Sequence, residues 1–313
     1  MNLPQTLLTA ALTLGLTSGA MAAEPEQCQK VRFSDVGWTD ITATTAMASE
    51  ILDNLGYQPQ TQLLSVPVTF RGMHDGDLDV FLGNWMPSME NDIRPYLDKQ
   101  SLDVHATNLT GAKYTLAVPA YVYDAGVKTF ADLAKHAEQF DSSIYGIEPG
   151  NDGNRLISDM IKANAFGLED FRLVESSEAG MLAQTKRAIR RNDWIVFLGW
   201  APHPMNQYFE MRYLDGGDDW FGPNFGGAEV HTVVRKGYAA ECSNVAQLLS
   251  NLQFTVAQEN AWMAAILDED LDPREAAKQW LKANPQALEA WLNNVTTFDG
   301  QPALPAVKGK LAL

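Results

Sequence analysis

The chain has 313 residues, with 39 acidic against 23 basic side chains, a formal charge of −16 and two cysteines. That acidity argues against nucleic acid and anionic membrane surfaces as partners, because both are recognised through a basic footprint. It does not by itself call for a cationic ligand, since many secreted proteins carry net charge for solubility.

The N-terminus sets the compartment. Leu7 to Leu16 is largely apolar, and Ala20-Met21-Ala22 fits a small-x-small cleavage site, so residues 1–22 read as a secretory signal peptide. No Lys or Arg precedes the apolar core, which departs from the usual pattern. The core is too short to span a bilayer and no other stretch is long and apolar enough, so no direct membrane insertion is expected. The remainder is enough for one large domain or two smaller ones. Cys28 and Cys242 are an isolated pair, which in an oxidising compartment reads as a disulfide. It would tie the first strand to a late segment of the same lobe. Two cysteines without a CxxC motif do not make a structural zinc site, which needs four ligands.

Strands and helices alternate along the chain. Val31 to Val36 reads as a first strand, Ile41 to Leu55 as a helix stopped by Gly56, and Gln60 to Leu64 as a strand. A short helix over Val68–His74 precedes a strand over Asp77–Gly83, and Tyr114 to Val118 reads as a strand broken by Pro119. A second lobe starts near there. Thr129-Phe130-Ala131-Asp132 is a capping box, opening a helix with Phe130, Leu133, Ala134, Ala137 and Phe140 on one face. Ile144 to Ile147 is a short strand running into the turn-rich Glu148–Gly153, and an amphipathic helix follows over Arg155–Ala165. Val230 to Val234 reads as a returning crossover strand. Helices rich in Leu, Ala and Trp follow, one opening at Asp272-Pro273, and the tail from Gly300 reads as an irregular arm.

Two stretches nearly repeat each other. Val80-Phe81-Leu82-Gly83-Asn84-Trp85-Met86-Pro87 is echoed by Val196-Phe197-Leu198-Gly199-Trp200-Ala201-Pro202. An apolar run closed by glycine reads as a buried parallel strand, and ligands of open α/β sheets bind beyond the carboxyl ends of such strands. Trp85 and Trp200 therefore stand at matched strand ends, Trp38 follows the first strand, and Asn151 follows the 144–147 strand. Trp194, Trp262, Trp280 and Trp291 fit ordinary packing instead. Indole faces are negative, so a box of them attracts a methylated ammonium at about 0.5–2 kcal/mol per desolvated contact. Catalytic motifs are absent. The five histidines are scattered, and there is no HExxH, GxSxG, P-loop or GxGxxG, so neither a metal, a cofactor nor an enzymatic reaction is indicated.

With these residues in view, the chain resembles the periplasmic choline-binding proteins of bacterial ABC transporters, within the wider quaternary-ammonium-binding group. The motifs that carry the resemblance are Gly37-Trp38-Thr39-Asp40, Gly83-Asn84-Trp85-Met86-Pro87, Ala112-Lys113-Tyr114, Pro149-Gly150-Asn151-Asp152-Gly153 and Gly199-Trp200-Ala201-Pro202. The resemblance implies a two-lobed type II binding protein of α/β class, each lobe a mixed sheet flanked by helices. Two hinge crossovers lie near Gly111–Lys113 and Gly227–Val230. Lobe A would comprise 23–112 and 228–313, and lobe B 113–227. It implies an aromatic box of Trp38, Trp85, Tyr114 and Trp200, with Asp40 and Asn151 on the ligand's polar end, in a monomer that serves a membrane permease.

The ligand needs a separate argument. Asp40 complements a cation and accepts a hydrogen bond from choline's hydroxyl, whereas against the carboxylate of glycine betaine or carnitine it is a costly like charge. The helix opening at Asn151–Asn154 favours an anion, but Asp152 can cap that end. Choline is the expected ligand, with acetylcholine as a secondary one. Betaine or carnitine binding is the alternative within the same architecture, and a secreted choline-ester hydrolase is the alternative of another class.

Overall fold

The computed structural model describes residues 24–313, so the signal-peptide reading lies outside the described residues. The first half alternates as expected: β1 (Lys30–Asp35), α1 (Thr39–Asn54), β2 (Gln58–Leu63), α2 (Val66–Asp75), β3 (Val80–Met86), α3 (Glu90–Asp98) and β4 (Leu102–Pro119). The second half continues with α4 (Ala120–Asp124), α5 (Phe130–Leu133), β5 (Ser143–Tyr145), α6 (Asp152–Lys162), β6 (Arg172–Val174), α7 (Glu178–Arg191), β7 (Phe197–Ala201), β8 (Met211–Tyr213) and β9 (Gly227–Arg235). Helices over Val256–Leu267 and Pro273–Ala283 then return to pack on α1.

One mixed sheet runs through the molecule in the order β2-β1-β3-β9-β4-β7-β5-β6, with β8 on β4. The long strand β4 joins its halves. Its first part, Leu102 to Lys113, pairs antiparallel with β9, and its last part, Lys113 to Pro119, pairs with β7 and β8. The two halves are the lobes of a two-lobed α/β fold, and both crossing strands meet at Lys113 and Gly227. The repeated sequence runs take equivalent places. β3 has β1 as a parallel and β9 as an antiparallel neighbour, while β7 has β5 as parallel and β4 as antiparallel neighbour.

Each element follows from its side chains. α1 buries Ile41, Met47, Ile51 and Leu52, and the chain leaves it through Gly56 at φ +93°. Asp79, just before β3, accepts hydrogen bonds from Arg32 and Arg235 at 2.7 and 2.8 Å and staples β1 to β9. Cys28 and Cys242 form a disulfide with Cα atoms 5.4 Å apart, joining the segment before β1 to the helices after β9.

Several expectations are corrected. Trp85 and Trp200 lie within β3 and β7 rather than beyond their ends, and each strand has one antiparallel neighbour rather than lying in a purely parallel sheet. The glycine in each run is not a stop but a point of close approach. A Cβ at Gly83 would lie 2.8 Å from the Ile41 side chain, and one at Gly199 2.9 Å from Met211. The strand read over 114–118 is the end of the 18-residue β4. The Thr129–Asp132 capping box is present, but α5 lasts one turn and passes into a 3-10 turn over Ala134–His136 before the chain bends into β5 through Asp141 and Ser142 at φ 50° and 45°. The tail is a helix over Ala303–Leu311, not an irregular arm. Pro305 falls in its first turn, where no intrahelical N–H is needed, and Ala303, Val307 and Leu311 make one buried face against α1.

Candidate functional site

A small cavity lies between the two halves, lined by Trp38, Asp40, Trp85, Tyr114, Ile147 and Trp200. Both halves supply the walls. Trp38 and Asp40 come from the first turn of α1 and Trp85 from β3, while Ile147 follows β5 and Trp200 stands on β7. Tyr114 sits where β4 passes between the halves, paired in register with Trp200. Its ring centroid lies 5.9 Å from that of Trp85 and 6.4 Å from that of Trp200, and Phe221 packs edge-on behind it.

The tyrosine is held where it is by two glycines. A Cβ on Gly153 would fall 2.0 Å from the Tyr114 hydroxyl, and one on Gly226 would fall 1.9 Å from the Tyr114 carbonyl oxygen. Every aromatic wall is buried, with exposures of 6% for Trp38, 3% for Trp85, 6% for Tyr114 and 3% for Trp200.

Asp40 is the acidic residue of the cavity lining. It is 1% exposed, accepts one hydrogen bond at 3.1 Å from the Trp85 indole N–H, and leaves Oδ1 without a partner. No cationic side chain pairs with it among the described residues. Burial, reinforced by the nearby Glu178 carboxylate, pushes its carboxyl up to about 8. An unpaired buried carboxylate is costly unless a cation joins it. Aromatic faces beside it suit a cation that cannot donate hydrogen bonds.

Asn151 stands one layer back. Its Oδ1 accepts from the Asn154 N–H at 2.9 Å and from the Tyr114 hydroxyl at 3.3 Å, so it caps α6 and steadies Tyr114 from outside the cavity lining. Asp152 is not the cap. It is the first helical residue, wholly buried, with both oxygens unpartnered and its carboxyl raised to about 6 by burial.

Three groups escaped sequence reasoning. Ile147 closes the cavity as an ordinary apolar strand end. Arg155 donates to the Ser88 carbonyl and to Asp92 at 2.8 Å each, bridging the halves. Glu178, at the start of α7, reaches across the cleft to α1. It accepts from the Thr39 N–H at 2.9 Å, the Thr39 hydroxyl at 2.6 Å and His203 Nε2 at 3.1 Å. No motif marked these residues, because each acts only through a neighbour distant in sequence. Among the described residues no cluster of three or more His, Cys, Asp or Glu is placed to hold a metal ion. No described helix is long and apolar enough to cross a membrane.

One sheet threading two lobes, with a cavity walled from both, defines the class of two-lobed substrate-binding proteins. Residues 29–283 match OpuAC, the substrate binding domain of ABC-type glycine betaine transport system, and the chain belongs to that family. It is 58% identical to an ABC-transporter choline binding protein solved in complex with choline, with TM-score 0.91, over 92% of this chain and 100% of that one. For an ABC-transporter choline binding protein in an unliganded semi-closed conformation the identity is 57% and the TM-score 0.85, at the same coverage. The glycine betaine/carnitine transport binding protein GbuC of Listeria monocytogenes serotype 1/2a is 31% identical over 163 residues, 52% of this chain and 53% of that protein.

Proposed function

We propose that this protein captures choline in the aromatic cavity and delivers it to the permease of an ABC importer. The observation that carries the reading is Asp40, a buried carboxylate without a cationic partner, enclosed by three indoles and a phenol. Several such faces at about 0.5–2 kcal/mol each supply a large part of the roughly 8 kcal/mol that micromolar binding needs. Choline's hydroxyl has the free Asp40 oxygen as an acceptor. Likeness to the choline-bound structure supports the same ligand, and acetylcholine shares its cationic end. The family description and GbuC keep glycine betaine and carnitine as the second reading. A choline-ester hydrolase would need a nucleophile against the cavity, and the six lining residues include no Ser, Thr or Cys, which favours a binding role without catalysis.

In this reading the ligand residues are Trp38, Asp40, Trp85, Tyr114 and Trp200, with Asn151 supporting the polar end. Within the described residues the proposed lobe A, 23–112 and 228–313, begins at residue 24, and lobe B covers 113–227. In this reading the protein works as a monomer in the periplasm, a location that the signal-peptide reading and the disulfide support.

Calorimetric titration with choline and with glycine betaine tests the reading. Choline is expected to bind at least tenfold tighter, and solution scattering at saturation is expected to give a smaller radius than the free protein as the lobes close. Preference for betaine would overturn the choline assignment.

The state of Asp40 adds a pH dependence. Its raised pKa means that the ligand-free protein holds a proton that the unfolded chain, with a carboxyl near 3.9, has lost. Its contribution to ligand-free stability therefore rises as pH falls from about 8 towards 4. Bound choline favours the ionised form, so binding below about pH 8 releases a proton, and affinity falls as pH drops, by up to about tenfold per unit. The choline-induced rise in melting temperature should be larger at pH 8.5 than at pH 6. Equal rises at both would show that Asp40 stays ionised throughout.

A further inference from the structure

The three donors on Glu178 form a carboxylate-binding site that the protein fills with its own side chain. α1 is a 16-residue helix, and its N-terminus carries the partial positive charge and free N–H groups that bind anions. Thr39, which supplies the backbone N–H and the hydroxyl, sits between the cavity residues Trp38 and Asp40. On the other side, His203 Nδ1 accepts the Met205 N–H at 2.9 Å, so the ring proton is on Nε2 and is donated to Glu178. The His203 ring packs edge-on against Trp200 at 4.8 Å between centroids, so this donor too stands directly behind a cavity wall. Glu178 is 4% exposed and His203 2%, so water does not compete for these bonds.

We propose that Glu178 determines the class of ligand, by filling a ready-made carboxylate site beside the cavity and so excluding quaternary ammonium compounds that carry a carboxylate. The proposal rests on the reading of the cavity as a quaternary-ammonium site. A ligand with a cation at one end and a carboxylate at the other would find its natural anion donors already taken. Its carboxylate would then lie unpaired near two protein carboxylates, Asp40 and Glu178, a buried like-charge arrangement that costs several kcal/mol. Choline, whose other end is a neutral hydroxyl, meets no such penalty. A carboxylate brought by the protein from α7 also joins the two lobes across Thr39.

Choline and glycine betaine titrated against wild type, Glu178→Ala, Glu178→Gln and the double variant Glu178→Ala/His203→Ala test the assignment, with circular dichroism and thermal unfolding to confirm folding. Wild type is expected to favour choline. Glu178→Ala, which frees the donors, should narrow the choline-to-betaine affinity ratio at least tenfold. Glu178→Gln keeps the shape, removes the charge and should narrow it less. Removing His203 as well should take back part of the gain, because a freed donor is lost. Asp268→Asn, which removes the charge from the surface contact of Tyr208 with Asp268 and leaves Glu178 in place, should leave the ratio unchanged. A ratio that stays at the wild-type value in both Glu178→Ala and Glu178→Gln, with choline merely weaker, would overturn the specificity role and leave the aromatic cavity reading intact. Wild type that fails to bind choline would overturn both.

Discussion

Trp85→Ala and Trp200→Ala are each expected to weaken choline binding by more than tenfold, a loss of at least about 1.4 kcal/mol. The two rings stand on equivalent strands of the two lobes, β3 and β7, and both face Tyr114. Removing either takes away one cation–π face and opens the cavity to water, which weakens the remaining contacts. Trp85→Ala also removes the N–H on Asp40 at 3.1 Å, leaving that carboxylate with no neutral donor. It should therefore be the more damaging of the two at acidic pH. Tyr114→Phe keeps the ring and loses a 3.3 Å hydrogen bond to Asn151, so its effect should be smaller. Isothermal titration with folded variants measures these differences, and near-wild-type affinity in both tryptophan variants would rule out the aromatic box.

Cys28→Ser/Cys242→Ser is expected to destabilise the protein by about 2–5 kcal/mol, lowering the melting temperature by roughly 5–15 °C. The bridge spans 214 residues of sequence, so its loss restores a large loop entropy to the unfolded chain. Both cysteines are buried in the core around β1, apart from the cavity lining, so choline affinity at low temperature should change less than threefold. Thermal unfolding with and without a reductant measures the effect. A melting temperature unchanged by reduction, with both thiols titrating free, would show that the bridge contributes nothing to stability.

The alternation of strands and helices was legible in the pattern of apolar residues, and so were the matched tryptophan runs. Trp38, Asp40, Trp85, Tyr114 and Trp200 could be gathered from four separate motifs through the family resemblance. The elements that sequence misjudged share a cause. Gly83 and Gly199 looked like stops, since glycine at the end of an apolar run commonly marks a turn. Their role is to let Ile41 and Met211 approach, and only packing reveals that. The Ala303–Leu311 helix was hidden by Pro302, Pro305 and Gly309, and its three buried residues make sense only against α1.

The sequence by itself determined the α/β class, the disulfide pair and the aromatic inventory of the site, because these depend on residue type and local spacing. Tertiary structure alone decided what each charge does. It left Asp40 without a cation, placed Asn151 behind Tyr114, and sent Glu178 from α7 across the cleft onto Thr39 and His203. The physical reason is that the pKa and hydrogen bonding of a carboxylate are set by burial and by neighbours far along the chain. Cation–π walls, in contrast, need only an aromatic residue at a recognisable place.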